Sequence, residues 1–205
     1  MELDSRTRQS VAAYDRSARE YQEAFRLKRP IADVRRFADL VKPDGLVLDV
    51  GCGPGSDLRL LGDTHVHPIG VDLSLGALKF ARMLLPRHAL VQCSFLDLPF
   101  PPNLFGGLWM SSSFTHLPRG QWRDAFAGLL EHLESGPVYF SCYRGTADME
   151  QIDDPILGPV HRSQATEEEV EALLSAHGLR DVWAEVRPDP IVDRRRPWVV
   201  AMGVR

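Results

Sequence analysis

The sequence predicts an α/β fold, a mostly parallel sheet with helices on both faces. Three observations carry this expectation. Short apolar runs alternate with stretches of helical periodicity. A glycine-rich turn follows the first apolar run, and no linker marks off a second domain. Strands that alternate with helices need crossover connections, which cover both faces of a parallel sheet. The 205 residues, 44% hydrophobic and 25% charged, suit one globular domain spanning 1–205.

The elements follow in order. Val11, Tyr14, Ala18, Tyr21 and Phe25 recur at steps of three and four, so they share one helix face. Pro30 interrupts, and Ile31, Val34, Phe37 and Leu40 resume the period. Residues 1–42 therefore read as a helical lid, and 43–205 as the core. Leu46–Val50 is a short apolar run of the kind buried on both faces of a parallel sheet. Further strands are expected near 68–72, 89–93, 107–111 and 138–141, with two more near 179–186 and 198–203. Ser74 is a suitable N-cap for the helix carrying Leu78, Ala81 and Leu85. Thr166–Glu169 reads as a capping box. The segment 144–165 shows no period and is expected to be a long substrate loop.

Composition excludes several classes. A net charge of -4 disfavours nucleic acid as a partner, because phosphate binding needs clustered cations. No apolar run has the length of a membrane span, and the N-terminus lacks a signal-peptide core. Cys52, Cys93 and Cys142 are far apart, so neither a disulfide framework nor a cysteine metal site is expected. A cytoplasmic location is the expectation, with no metal and no membrane partner. The sequence leaves the oligomeric state open.

The chemistry centres on Asp49-Val50-Gly51-Cys52-Gly53-Pro54-Gly55. Glycines let the backbone turn tightly and approach a ligand. The carboxyl end of a central strand is where open α/β sheets bind ligands. A dinucleotide fingerprint needs a third glycine at position 56, which is Ser56. Asp49, beside the first glycine, would repel a pyrophosphate but suits an ammonium group. Asp72 ends the next strand, at the spacing where a carboxylate takes ribose hydroxyls. Asp97 follows the third strand and can accept from an exocyclic amine, with Phe95 and Leu96 as apolar walls. Three such carboxylates describe a ligand with an amine, a ribose and an adenine, and no phosphate.

Residues 47–55 resemble the first motif of class I S-adenosylmethionine-dependent methyltransferases. Gly70-Val71-Asp72-Leu73-Ser74 resembles their second motif, and Phe95-Leu96-Asp97-Leu98-Pro99 their adenine-contacting motif. Leu104–Leu117 is similar to the fourth-strand segment of small free-standing bacterial members, although Gly106 stands where many have Asp. The Tyr14-x-x-x-Ala18-x-x-Tyr21 pattern is shared as well. The resemblance implies a Rossmann-like fold with seven strands ordered 3-2-1-4-5-7-6, the last antiparallel. It implies cofactor contacts from Tyr14, Tyr21, Asp49, Gly51, Cys52, Gly53, Gly55, Asp72, Leu73, Phe95, Leu96, Asp97 and Met110. The cofactor would be S-adenosyl-L-methionine, leaving as S-adenosyl-L-homocysteine.

Blander readings stand beside these. Tyr14 and Tyr21 fit a core stripe as well as a cofactor contact, and Asp97 fits a surface turn. His116, after the fourth strand, is placed to act as a base or to be a loop histidine satisfied by backbone. His65 and His67 read as surface turn residues, and Arg194–Arg196 as a solvated turn. The expected activity is methyl transfer to an oxygen or nitrogen of a small-molecule acceptor. Two alternatives remain open: a cofactor-binding protein without methyl transfer, and a nicotinamide-dependent oxidoreductase.

Overall fold

The computed structural model describes residues 5–25, 30–188 and 197–205. The Arg194–Arg196 turn lies outside them. Five parallel strands build the centre: β1 (Leu46–Val50), β2 (His67–Asp72), β3 (Ala89–Gln92), β4 (Gly107–Ser111) and β5 (Pro137–Tyr143). β8 (Arg180–Arg187) and β9 (Trp198–Val204) complete the sheet, in the order β3-β2-β1-β4-β5-β9-β8. β9 runs antiparallel to both its neighbours. This is the expected order, with the last two strands renumbered by an inserted hairpin.

Apolar packing explains the layers. One face carries a large cluster including Leu48, Val50, Leu108, Met110, Phe126 and Phe140. Phe126 and Leu129 reach it from α5 (Trp122–Glu131), whose apolar residues share one face. The other face packs Val47, Trp109 and Tyr139 against Val34 and Phe37 of α2 (Ile31–Ala38). The Trp109 and Tyr139 rings stack at 3.7 Å between centroids. Two more helices flank β2: α3 (Ser56–Gly62) precedes it, and α4 (Leu75–Leu84), capped by Ser74 Oγ on the Ala77 N–H, follows.

Two expectations change. First, within the segment 1–42 expected to be a helical lid, α2 packs on the second core face, with Val34, Phe37 and Ala38 buried there, while α1 (Ser5–Phe25) lies apart from that cluster. Second, 144–165 is not a structureless loop. It forms an antiparallel hairpin, β6 (Glu150–Asp154) with β7 (Gly158–Arg162). The strand Glu-Gln-Ile-Asp-Asp is too polar to show an apolar period, yet its backbone is paired throughout. Asp154 accepts from the Ile156 and Leu157 N–H groups at the turn, at 3.0 and 3.1 Å. α1 and the hairpin share a small cluster of Ala13, Leu157 and Val160, with Tyr14, Tyr21 and Ile152 against it. Together they form a cap over the carboxyl ends of the strands. α6 (Glu167–Ala176) follows, with its capping box formed as expected.

Candidate active site

Beneath the cap lies a cleft with about 940 Å³ of empty space, part of it open to solvent. The glycine turn forms its floor. The Gly51 and Cys52 N–H groups both donate to the Val71 carbonyl, at 2.8 and 2.9 Å, which ties the turn to β2. Gly51 has φ +71°, and a Cβ there would sit 2.8 Å from the Ser113 Cβ. Glycine at 51 therefore lets the segment after β4 close on the turn. Gly53 has φ +52° and faces open space. Gly55 serves packing instead. A Cβ there would meet Leu85 at 2.8 Å, so its absence allows α3 to pack on α4.

Asp72 is the hinge of the floor. Its Oδ2 accepts from the Gly53 N–H at 2.8 Å and its Oδ1 from the Ser74 N–H at 2.7 Å. Burial pushes its pKa above the usual carboxylate range, against these backbone hydrogen bonds. A carboxylate offers about four acceptor positions, so both oxygens can still take a hydroxyl. Asp49, 1% exposed, and Asp57, 8% exposed, also line the cleft. Asp57 accepts from the Trp109 indole at 3.1 Å. Three carboxyl groups thus gather at this end of the cleft, with no lysine or arginine side chain among its described lining residues, an arrangement ill suited to a pyrophosphate.

The other end is built from α1 and the segment after β4, with the hairpin packed behind them. Tyr14 Oη lies 3.2 Å from His116 Nε2, and His116 Nδ1 lies 3.3 Å from the His161 carbonyl. A carbonyl only accepts, so Nδ1 carries the proton and Nε2 accepts from the Tyr14 hydroxyl. Burial, then the Arg162 charge, lowers the His116 pKa to about 3, so the ring is neutral. Burial also raises Tyr14 well above an ordinary phenol. Ser112 holds a left-handed φ of 62° at the end of β4. The buried Ser112 and Ser113 hydroxyls have no hydrogen-bond partner among the described residues. Strained backbone and unsatisfied hydroxyls at a cleft wall are features of ligand sites.

α1 is fastened to every wall. Asp15 Oδ1 accepts from Ser74 Oγ at 2.6 Å and from the Gly76 N–H at 2.7 Å. Ser56 Oγ donates to Gln22, and the His161 N–H donates to Ser10 Oγ at 3.3 Å.

Of the residues expected at the site, Tyr14, Tyr21, Asp49, Gly51, Cys52, Gly53, Asp72, Leu73, Phe95 and His116 line the cleft. Four do not. Met110 is wholly buried in the main core, because β4 is covered on both faces and only its end, from Ser111, reaches the cleft. Gly55 lies behind the turn. Leu96 and Asp97 line a separate depression with Gln121, Asp124 and His132, since the turn closed by the Asp97 N–H on the Ser94 carbonyl carries them outward. Thr7, Ser10, Asp57 and Ser111–Ser113 line the cleft without having been expected there. Ser10 shares a face with Tyr14 at a step of four, which is the pattern that could have pointed to it. His65 and His67 bond the Val41 carbonyl and Asp44, as surface residues do. No group of three metal-ligating side chains occurs among the described residues.

A family described as "Methyltransferase domain" matches residues 47–136. These contain β1 to α5 and the whole floor of the cleft. The match supports the resemblance of this segment to class I S-adenosylmethionine-dependent methyltransferases. A demethylmenaquinone methyltransferase of Symbiobacterium thermophilum is 37% identical over 38% of this chain and 36% of its own length. A malonyl-[acyl-carrier protein] O-methyltransferase of Enterobacter lignolyticus is 31% identical over 60% of this chain and 47% of its own. The chain thus spans between a third and a half of the length of these curated relatives. A solved structure of DhpI with SAH superposes with a TM-score of 0.73 at 16% identity, over 100% of this chain and 98% of the other. A Burkholderia thailandensis 1,6-didemethyltoxoflavin-N1-methyltransferase gives 0.70 at 17%, over 100% and 92%. These two likenesses concern the fold.

Proposed function

We propose that the protein transfers a methyl group from S-adenosylmethionine to an oxygen or nitrogen of a small molecule held beneath the cap. The observation that carries this reading is the acidic cleft floor, the Asp49, Asp57 and Asp72 side chains around a glycine turn that has an open backbone cradle at Gly53. Such a floor suits a ligand with an ammonium group and a ribose, and opposes a diphosphate. Asp72 would take the ribose hydroxyls on its remaining acceptor positions, Gly51 and Gly53 would admit the amino-acid end, and Phe95 would flank the base. Loaded there, the cofactor supplies an electrophilic methyl on a sulfonium whose departure leaves no charge on sulfur.

The chain must then position the nucleophile and take its proton. Holding two reactants in line supplies roughly 7–11 kcal/mol of a barrier. Tyr14 and His116 supply the route for the proton. The Tyr14 oxygen offers lone pairs to an acceptor X–H while its own hydrogen is held by His116 Nε2. As the acceptor yields its proton to Tyr14, Tyr14 passes one to His116. The imidazole is neutral, with an unprotonated Nε2 turned to the Tyr14 hydroxyl, and the burial and Arg162 charge that lower its pKa make it a weak base until a ligand changes its surroundings.

Calorimetry tests the reading. S-adenosylmethionine or its demethylated product is expected to bind with micromolar affinity, and NADH to give no heat. Asp72→Ala is expected to weaken the product's binding by about 1–3 kcal/mol, the cost of a charge-assisted hydrogen bond. NADH binding in place of the sulfonium ligand defeats the proposal. Tight binding of the sulfonium ligand with no turnover on any acceptor favours a binding protein instead.

A further inference from the structure

Behind the Tyr14–His116 pair lies a charge pair that the proton route does not use. Arg162 at the end of β7 donates from Nη2 to Asp154 Oδ2 at 3.1 Å, and the two side chains are 3% and 2% exposed. Such burial of an ion pair is costly, and replacing both partners by apolar groups is often neutral, so stability is a weak reason for it. Its placement is specific. The guanidinium lies 4.6 Å from the centroid of the Tyr143 ring on β5. The preceding residue, His161, holds His116 through its carbonyl and α1 through its N–H. Arg162 Nε has no hydrogen-bond partner among the described residues. The pair is polarised toward the site: at both Tyr14 and His116 the Arg162 charge acts more strongly than the opposing Asp154 charge. Arginine cannot lose its proton in a protein, so this field is permanent.

We infer that the buried Arg162–Asp154 pair selects the acceptor class: its positive end, behind Tyr14 and His116, favours an acceptor that enters neutral and becomes anionic, a weakly acidic hydroxyl compound, over an ammonium compound. This inference rests on the methyl-transfer reading of the same cleft. The balance of the step follows. The acceptor O–H bond breaks and its proton passes to Tyr14, as the hydrogen that Tyr14 already carries passes to His116 Nε2. The new O–CH3 bond forms as the methyl–sulfur bond breaks, and the sulfur keeps the bonding pair. Negative charge that develops on the acceptor oxygen faces the guanidinium, whereas an ammonium acceptor would face a like charge on entry. Arg162 touches neither reactant and is a positioning residue.

The test uses three probes of similar size on the full chain saturated with S-adenosylhomocysteine: phenol, benzylammonium and benzoate. Calorimetry is expected to show phenol binding at least about tenfold tighter than benzylammonium, a difference of one decade in Kd. Benzoate is expected to bind more weakly than phenol, since the guanidinium is already paired. Equal or tighter binding of benzylammonium, tightest binding of benzoate, or no binding of any probe overturns the inference. The double variant Arg162→Met with Asp154→Asn removes both charges and leaves no orphaned ion. It is expected to keep its affinity for S-adenosylhomocysteine and to lose most of the phenol preference. An unchanged preference overturns the role of Arg162. Failure of S-adenosylhomocysteine itself to bind wild-type protein is a separate result, and it strikes the methyl-transfer reading.

Discussion

The floor and the cap of the cleft are held together by different physics. The floor belongs to a sheet whose two faces are sealed by extended apolar clusters, with Trp109, Phe105, Phe126 and Leu108 fully buried. The cap shares only a few apolar side chains, around Ala13, Leu157 and Val160. It is held to the floor by single polar contacts, Asp15 on α4, Gln22 on α3 and Tyr14 on His116, and within itself by Ser10 on β7. Each such bond is worth about 0.5–1.5 kcal/mol net, far less than a buried aromatic. The cap is therefore expected to open at a lower cost than the floor unfolds.

The largest effect is expected where the cap departs from this pattern, at its buried charge pair. Arg162→Met leaves Asp154 charged and uncompensated where it is 2% exposed. The expected cost is about 3–5 kcal/mol, read by urea denaturation. Restoring neutrality with Asp154→Asn in the same chain is expected to recover much of it. A loss no larger in the single than in the double variant would show that Asp154 reaches water.

A gentler wedge tests the fastening. A Cβ at Gly76 would lie 2.5 Å from the Asp15 carbonyl oxygen and 2.6 Å from its Cα, both backbone atoms that cannot swing aside. Gly76→Ala is expected to push α1 off α4 at a cost of about 1–3 kcal/mol. Hydrogen exchange should rise in α1 and not in β1, β2 or β4. Equal exchange in both regions would make cap and floor one cooperative unit.

The same contrast explains what the sequence disclosed. Strand-forming runs such as Leu46–Val50, with a glycine turn behind them, announce themselves because burial on both faces demands continuous apolar residues. The sheet order came from family likeness, since periodicity does not encode which strands are neighbours. The hairpin escaped because β6 is Glu-Gln-Ile-Asp-Asp and β7 contains Gly158 and Pro159, nearly all poor strand formers. Their pairing is imposed by the Asp154 turn and by packing on α1, neither of which leaves a local pattern. Met110 misled for a related reason: in a strand covered on both faces, alternation does not say which side chain meets the cleft. Tyr14 and His116 are 102 positions apart, so only the folded chain shows that they touch.

A pH titration probes the cap from within. The folded pKa of His116, about 3, lies below the unfolded value of roughly 6.5. The unfolded chain therefore binds more protons between these two values, and stability falls as pH drops through that window. His116→Gln removes this loss, so its stability relative to wild type should improve steadily from about pH 6.5 downward. Turnover should respond in the opposite way, falling at least about tenfold in the variant at neutral pH, as loss of a general base does. A wild-type rate would leave His116 as a structural residue. A pH-independent stability difference would mean that the imidazole is solvated in the folded state.

The smallest expected effect is at Asp97, and it separates likeness of motif from likeness of place. By motif, Asp97 is an adenine contact. By position, it is exposed, outside the cleft, in a depression with Asp124 and His132. A carboxylate that stays in water gains little from a hydrogen bond to a ligand, because it exchanges one partner for another. Asp97→Ala is therefore expected to change S-adenosylhomocysteine affinity by less than about 0.5 kcal/mol, the range of surface substitutions. Phe95, shared by the walls of the cleft and of the depression, should matter more: truncating it to Ala removes apolar area from the cleft itself. If calorimetry finds Asp97→Ala as damaging as Phe95→Ala, the segment 94–98 must turn inward when the nucleoside arrives, and the boundary between fixed floor and moving cap runs through it.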